Sequence, residues 1–100
     1  MRIAINGFGR IGRTILRQVL NLPDRDRVQI ALINDIAPAD MLGYLFQYDS
    51  TFGPLPFEVG ASDNMLSVAG RQFPLTRQTD ISDLDLTGVD VVLECTGIAR

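Results

Sequence analysis

The chain of 100 residues contains no histidine, and its nine basic residues are all arginine. Without lysine there is no Schiff-base nucleophile, and without histidine there is no His-containing triad and no imidazole metal site. The single cysteine, Cys95, excludes an internal disulfide and any multi-cysteine zinc site. Cys95 lies in a buried-strand pattern with no histidine to activate it, so it reads as packing; Glu94 beside it reads as strand-end structure, not as a general base. Positive charge is scarce as well. A formal net charge of -3 and a pI near 4.6 argue against a nucleic-acid partner, which requires a basic face. No apolar run is long enough to span a membrane, and no charged region followed by an apolar core reads as a signal peptide. A cytoplasmic protein with neither membrane nor nucleic acid as partner is expected. With 46% hydrophobic and 21% charged residues, the composition suits one small globular domain.

What is present begins with Arg2 to Arg13. Gly7, Gly9 and Gly12 stand in G-x-G-x-x-G spacing, directly after the apolar run Ile3-Ala4-Ile5 and directly before a stretch of helical periodicity. The pattern reads as strand, tight turn and helix start. Gly7 allows the turn, Gly9 lets the backbone approach a pyrophosphate, and Gly12 lets the helix pack closely on the strand. Free amides at the helix N-terminus would seat the anion. The helix carries Ile11, Ile15 and Val19, joined by Leu16 and Leu20, on one face, with Arg10, Arg13 and Arg17 opposite. It is expected to end around Asn21 to Pro23.

Val28, Ile30, Leu32 and Ile33 predict a second strand ending in Asn34 and Asp35. Pro38 fits the start of a second helix whose apolar face is Met41, Leu42, Leu45 and Phe46, and Gly43 within it marks a close contact with a neighbour. Tyr48 to Pro56 reads as a loop. A small antiparallel excursion is expected around 57–76, turning at Ala69-Gly70, with its last limb, Gln72 to Thr76, rejoining the main sheet. Pro74 predicts that one side of that limb makes no ladder bond. Ser82 with Asp85 resembles a capping box for one helical turn, and Val89 to Cys95 is the strongest strand signal. The fold class is α/β, a Rossmann-type doubly wound and mainly parallel sheet, incomplete at the C-terminus: the chain reads as the first part of a longer polypeptide.

In such sheets ligands bind outside the carboxyl ends of the strands. The residues following each parallel strand, Asn6-Gly7, Asn34-Asp35, Arg77 and Thr96-Gly97, would share one edge. An acidic residue at the end of the second strand can accept hydrogen bonds from the adenosine ribose and would repel the extra phosphate of NADP, so Asp35 favours NAD. Asp35 could instead only cap the turn into the second helix. Arg10 could be a solvated surface charge, so the pyrophosphate is assigned to backbone amides; Arg77 could lie beside the adenine or be a strand-end charge.

Ala4-Ile5-Asn6-Gly7-Phe8-Gly9-Arg10-Ile11-Gly12-Arg13, Ile33-Asn34-Asp35, Tyr48-Asp49-Ser50-Thr51 with Gly53, and Glu94-Cys95-Thr96-Gly97 together resemble the phosphorylating glyceraldehyde-3-phosphate dehydrogenase family, in its order and spacing. The resemblance implies that residues 1–100 form the N-terminal portion of an NAD-binding domain in a homotetrameric glycolytic enzyme, which oxidises the aldehyde with inorganic phosphate to 1,3-bisphosphoglycerate. It places cofactor contacts at Asn6, Gly7, Phe8, Gly9, Arg10, Ile11, Gly12, Asn34, Asp35, Arg77, Thr96 and Gly97. The family's catalytic Cys-Thr-Thr-Asn stretch and histidine lie beyond these residues, so no catalytic residue carries over. Arg77-Gln78-Thr79 stands where the family commonly has Arg-Asp-Pro, and Phe52-Gly53 where it has histidine-glycine. Erythrose-4-phosphate dehydrogenases are similar too, though they typically carry glutamate at the position of Asp35. A non-catalytic nucleotide-binding module is the alternative from another class.

Overall fold

A computed structural model describes residues 1–22, 27–48 and 58–95. β1 (Arg2–Asn6) leads through the glycine turn into α1 (Arg10–Leu20), then β2 (Gln29–Asn34) and α2 (Ala39–Tyr48). Three short strands follow, β3 (Val59–Ser62), β4 (Met65–Val68) and β5 (Arg71–Thr76), then a single 3-10 turn at Ile81–Asp83 and β6 (Val91–Glu94). They form one sheet in the order β3-β4-β5-β2-β1-β6. The run β5-β2-β1-β6 is parallel, and β3 and β4 extend it as an antiparallel flap. The expected excursion therefore exists and returns to the main sheet through β5. The chain reverses between β4 and β5 at Ala69 and Gly70, with φ of 52° and 82°, the paired positive values that a two-residue hairpin turn needs.

Period-two alternation in β1 sends Ile3 and Ile5 to one face and Ala4 to the other. On the first face they join Leu16 and Val19 of α1 and Leu42 and Phe46 of α2 in the main core, with Ile33 between. Across the sheet, Ala4 and Leu32 are covered by Leu84, with Leu86, Val89 and Val92 alongside. Both described helices thus serve one face, while the segment between β5 and β6 shields the other. None of the described helices is long and apolar enough to cross a membrane.

Several local expectations shift. The buried stripe of α1 is Gly12, Leu16 and Val19, and Ile11 is 65% exposed, because the helix presents Gly12 to β1. On α2 the buried stripe is Ala39, Leu42, Gly43 and Phe46, and Met41 faces solvent. A Cβ on Gly43 would stand 3.1 Å from the Ala61 Cβ, which is the close contact expected there. The capping box at Ser82 and Asp85 does not form. Asp80 caps the 3-10 turn by accepting the Ser82 N–H at 2.9 Å, and Asp85 accepts the Thr87 N–H at 3.1 Å. The backbone and side chain of Ser82 lower the Asp80 pKa, and the side chain and backbone of Thr87 lower that of Asp85. The last strand is shorter than expected, since the Val89 N–H turns back to the Leu86 carbonyl and the chain reaches β1 only at Asp90, whose N–H bonds the Arg2 carbonyl.

Candidate functional site

The glycine turn is built by close approach. Gly7 has φ of 100°, a value L side chains rarely adopt, and its N–H bonds the Asn34 carbonyl at 2.7 Å. A Cβ on Gly12 would lie 2.6 Å from the Gly7 carbonyl oxygen, so only glycine lets α1 start so near the turn. α1 begins without a side-chain cap and with no acidic residue in its first turn. Its first bond runs from the Arg13 N–H to the Gly9 carbonyl at 2.9 Å, which leaves the amides of Arg10, Ile11 and Gly12 ahead of the helical ladder. An uncapped, uncompensated N-terminus is a seat for an anion.

Asp35 leaves the end of β2 directly beside that turn. One carboxylate oxygen accepts the Phe8 N–H at 2.7 Å and the other the Ala37 N–H at 2.9 Å. Each oxygen keeps a second acceptor direction, so the side chain can bind hydroxyl donors without leaving its place. The Phe8 amide is committed to Asp35, and the Phe8 ring is buried against Phe46 with centroids 5.6 Å apart. Phe8 thereby anchors the turn to the core.

Between the strand ends lies a brace that the sequence pattern did not announce. Asn34, only 4% exposed, accepts at Oδ1 from the Thr76 hydroxyl (2.7 Å) and the Gln78 N–H (2.8 Å). Its Nδ2 donates to Asn6 Oδ1 and to the Gln78 carbonyl, both at 2.9 Å. Asn6 Nδ2 in turn donates to Glu94 Oε2 at 2.8 Å. All four hydrogen-bonding positions of the Asn34 carboxamide are filled within the protein, and the chain of bonds ties the carboxyl ends of β5, β2, β1 and β6 together. A cavity of about 270 Å³ opens above this brace, lined by Asn6, Gly7, Asp35, Ile36, Gln78 and Thr79 along with Asn34.

Arg77 stands at the same edge but its side chain leans away. Its Nη2 donates to the Asp63 carbonyl at 3.3 Å and lies 3.8 Å from the Asp63 carboxylate, over the β3–β4 turn. Thr96 and Gly97 lie outside the described residues. Cys95 is buried, and burial together with the Glu94 charge pushes its thiol pKa up, the reverse of what a nucleophile requires. Ile36, Gln78 and Thr79 went unrecognised as lining residues. The signal was available, since each follows the carboxyl end of a parallel strand.

The sequence model described as "Glyceraldehyde 3-phosphate dehydrogenase, NAD binding domain" matches residues 1–100. The chain belongs to this family. It is 44% identical over 101 residues to a glyceraldehyde-3-phosphate dehydrogenase of Chlamydia pneumoniae, covering 98% of this chain and 29% of the relative. It is 42% identical over 100 residues to that of Pseudomonas aeruginosa, covering 98% and 30%. With glyceraldehyde-3-phosphate dehydrogenase 1 of Bacillus subtilis it shares 40% over 99 residues, covering 97% and 29%. The chain therefore spans about three tenths of the length of these relatives.

Family membership gives the cavity a chemical test. The residues present suit a dinucleotide: an uncapped helix N-terminus for a pyrophosphate, a carboxylate with spare acceptor directions for ribose hydroxyls, and a turn that a Cβ at Gly12 would obstruct. The NAD-binding, Rossmann-type character of the family agrees with the parallel order β5-β2-β1-β6.

Proposed function

We propose that residues 1–100 are the N-terminal portion of the NAD-binding domain of a phosphorylating glyceraldehyde-3-phosphate dehydrogenase, whose catalytic residues lie outside this chain. The observation that supports the reading is the 2.7 Å bond from the Phe8 amide to Asp35, which holds a carboxylate beside the glycine turn. In this reading the amides of Gly9, Arg10, Ile11 and Gly12 hold the pyrophosphate, and Asp35 binds the adenosine ribose and disfavours NADP. Asn6, Gly7, Phe8 and Asn34 shape the groove, while Arg77, Thr96 and Gly97 complete it. NAD held there would supply the hydride acceptor. This chain's own residues bind and orient the cofactor and carry no proton transfer.

The whole enzyme, in the same proposal, is a cytoplasmic homotetramer that takes glyceraldehyde 3-phosphate and inorganic phosphate. Steady-state reduction of NAD by the full-length protein tests this, with glyceraldehyde 3-phosphate and erythrose 4-phosphate as parallel substrates. Phosphate-dependent turnover with a higher kcat/KM for glyceraldehyde 3-phosphate is expected. Preference for erythrose 4-phosphate overturns the substrate, and NAD binding without turnover on either aldehyde overturns the enzyme in favour of a nucleotide-binding module.

A further inference from the structure

Phe8 is fixed at three points. Its ring is buried against Phe46, its N–H donates to the Asp35 carboxylate at 2.7 Å, and its carbonyl oxygen accepts from Arg13 Nη1 at 3.0 Å. The third bond runs against the local electrostatics. Arg13 stands in the first turn of α1, at the positive end of the helix dipole, where a cation is unfavourable. Side chains on a helix lean toward its N-terminus, so the guanidinium can reach back to a residue five positions earlier. Arg10 on the same turn is exposed, whereas Arg13 is half-buried over the glycine turn.

The bond matters for the other half of the same peptide unit. In a trans peptide the C=O and the following N–H point in opposite directions, so holding the Phe8 carbonyl directs the Gly9 N–H away from the guanidinium. Among the described residues that N–H has no acceptor. The next peptide is held from the same residue, because the Arg13 N–H bonds the Gly9 carbonyl at 2.9 Å and thereby directs the Arg10 N–H. Gly9 itself is extended, with φ of -76° and ψ of -163°, and as a glycine it resists rotation of the Phe8–Gly9 peptide weakly. A flip of that peptide would turn a carbonyl oxygen toward the anion seat and the amide away from it. The guanidinium bond opposes the flip.

We propose that Arg13 is a positioning residue for the cofactor pyrophosphate, acting through the Phe8 carbonyl to keep the Gly9 amide aimed at the anion. The inference rests on the dinucleotide reading of the site and adds a residue to it. Asp35 fixes the peptide before Phe8, and Arg13 fixes the one after it.

Equilibrium dialysis of labelled NAD and of labelled adenosine against the full-length protein tests this, comparing the parent with Arg13→Met and Arg13→Lys. Adenosine carries the ribose that Asp35 would bind but no pyrophosphate. Arg13→Met is expected to weaken NAD about tenfold, the scale of one hydrogen bond to a charged group, and to leave the Kd of adenosine unchanged. Arg13→Lys keeps the charge and the stem, but its ammonium ends one bond short and lacks the planar fork. The same selective loss is expected from it, which separates position from charge. Parent-like NAD binding by Arg13→Met overturns the proposal. Full NAD affinity in Arg13→Lys also overturns it by reducing the residue to its charge, and equal weakening of NAD and adenosine does so by showing a general disturbance. Should Arg13→Met fail to fold, Arg13→Lys decides. A parent protein that does not bind NAD overturns the dinucleotide reading itself and this inference with it.

Discussion

The Phe8 amide donates to the Asp35 carboxylate at 2.7 Å, joining the glycine turn after β1 to the end of β2. The same carboxylate thus shapes the turn and faces the groove. Replacing it removes the partner of a part-buried N–H and, in the proposed function, the ribose acceptor. Asp35→Ala in the full-length protein is expected to weaken NAD about tenfold to a hundredfold, given about 1.5–3 kcal/mol for hydrogen bonds to a charged group, and to narrow the preference over NADP. Fluorescence titration with both nucleotides checks it; unchanged NAD affinity removes Asp35 from the ribose.

Gly12→Ala introduces a Cβ 2.6 Å from the Gly7 carbonyl oxygen and 3.1 Å from the Ile5 side chain. Backbone cannot yield as a flexible side chain does, so α1 must move. A loss of about 1–3 kcal/mol in urea unfolding is expected despite alanine's better helix propensity. A stabilised variant would show that the close approach is not what requires glycine.

Asn34→Leu keeps a similar volume and strands the Thr76 hydroxyl, both backbone groups of Gln78 and the Asn6 side-chain oxygen. We expect a loss of about 3 kcal/mol, with Thr76→Val costing about 1 kcal/mol and the double variant falling short of the sum. Strict additivity would mean that the two side chains do not share one network.

Cys95 should resist alkylation. Its pKa is raised first by burial and then by the Glu94 charge, so the folded protein favours the neutral thiol. The sign follows directly: the contribution is complete below the ordinary thiol range and is lost as pH climbs through the raised value. Peptide mapping after iodoacetamide treatment of the full-length protein at pH 8 should find Cys95 modified far more slowly than in the urea-unfolded chain. Equal rates would place the thiol at the surface.

Gly43→Val tests the flap. Its larger side chain must displace Ala61 and Val59, which already lie within van der Waals reach of a Cβ at this position. A loss of about 1–3 kcal/mol is expected, and a neutral result in thermal unfolding would show that β3 gives way freely.

Much of the fold is local enough to read in order. The apolar run before the glycines, the helical period after them, the proline at the start of α2 and the turn at Ala69-Gly70 each depend on neighbours a few residues away. Errors arose where a tertiary contact set the rotation. α1 turns so that Gly12 meets the Gly7 carbonyl, and that leaves Ile11 outside although its spacing suits the core. Asp80 replaced Ser82 as the cap because it sits one step ahead of the turn that forms.

The glycine spacing, the order of apolar runs and helical periods, and Asp35 at the end of the second strand were enough to read an α/β Rossmann-type fold with a glycine turn ahead of α1. Those features are consequences of backbone geometry, which reads along the chain. Only the tertiary structure decided that Asn34 braces the site. Its partners lie 28, 42 and 44 residues away, and a carboxamide declares no partner through periodicity. The unpaired side at Pro74 arose the same way: the sequence shows a missing donor, but only the assembled sheet shows that β4 pairs there and β2 does not.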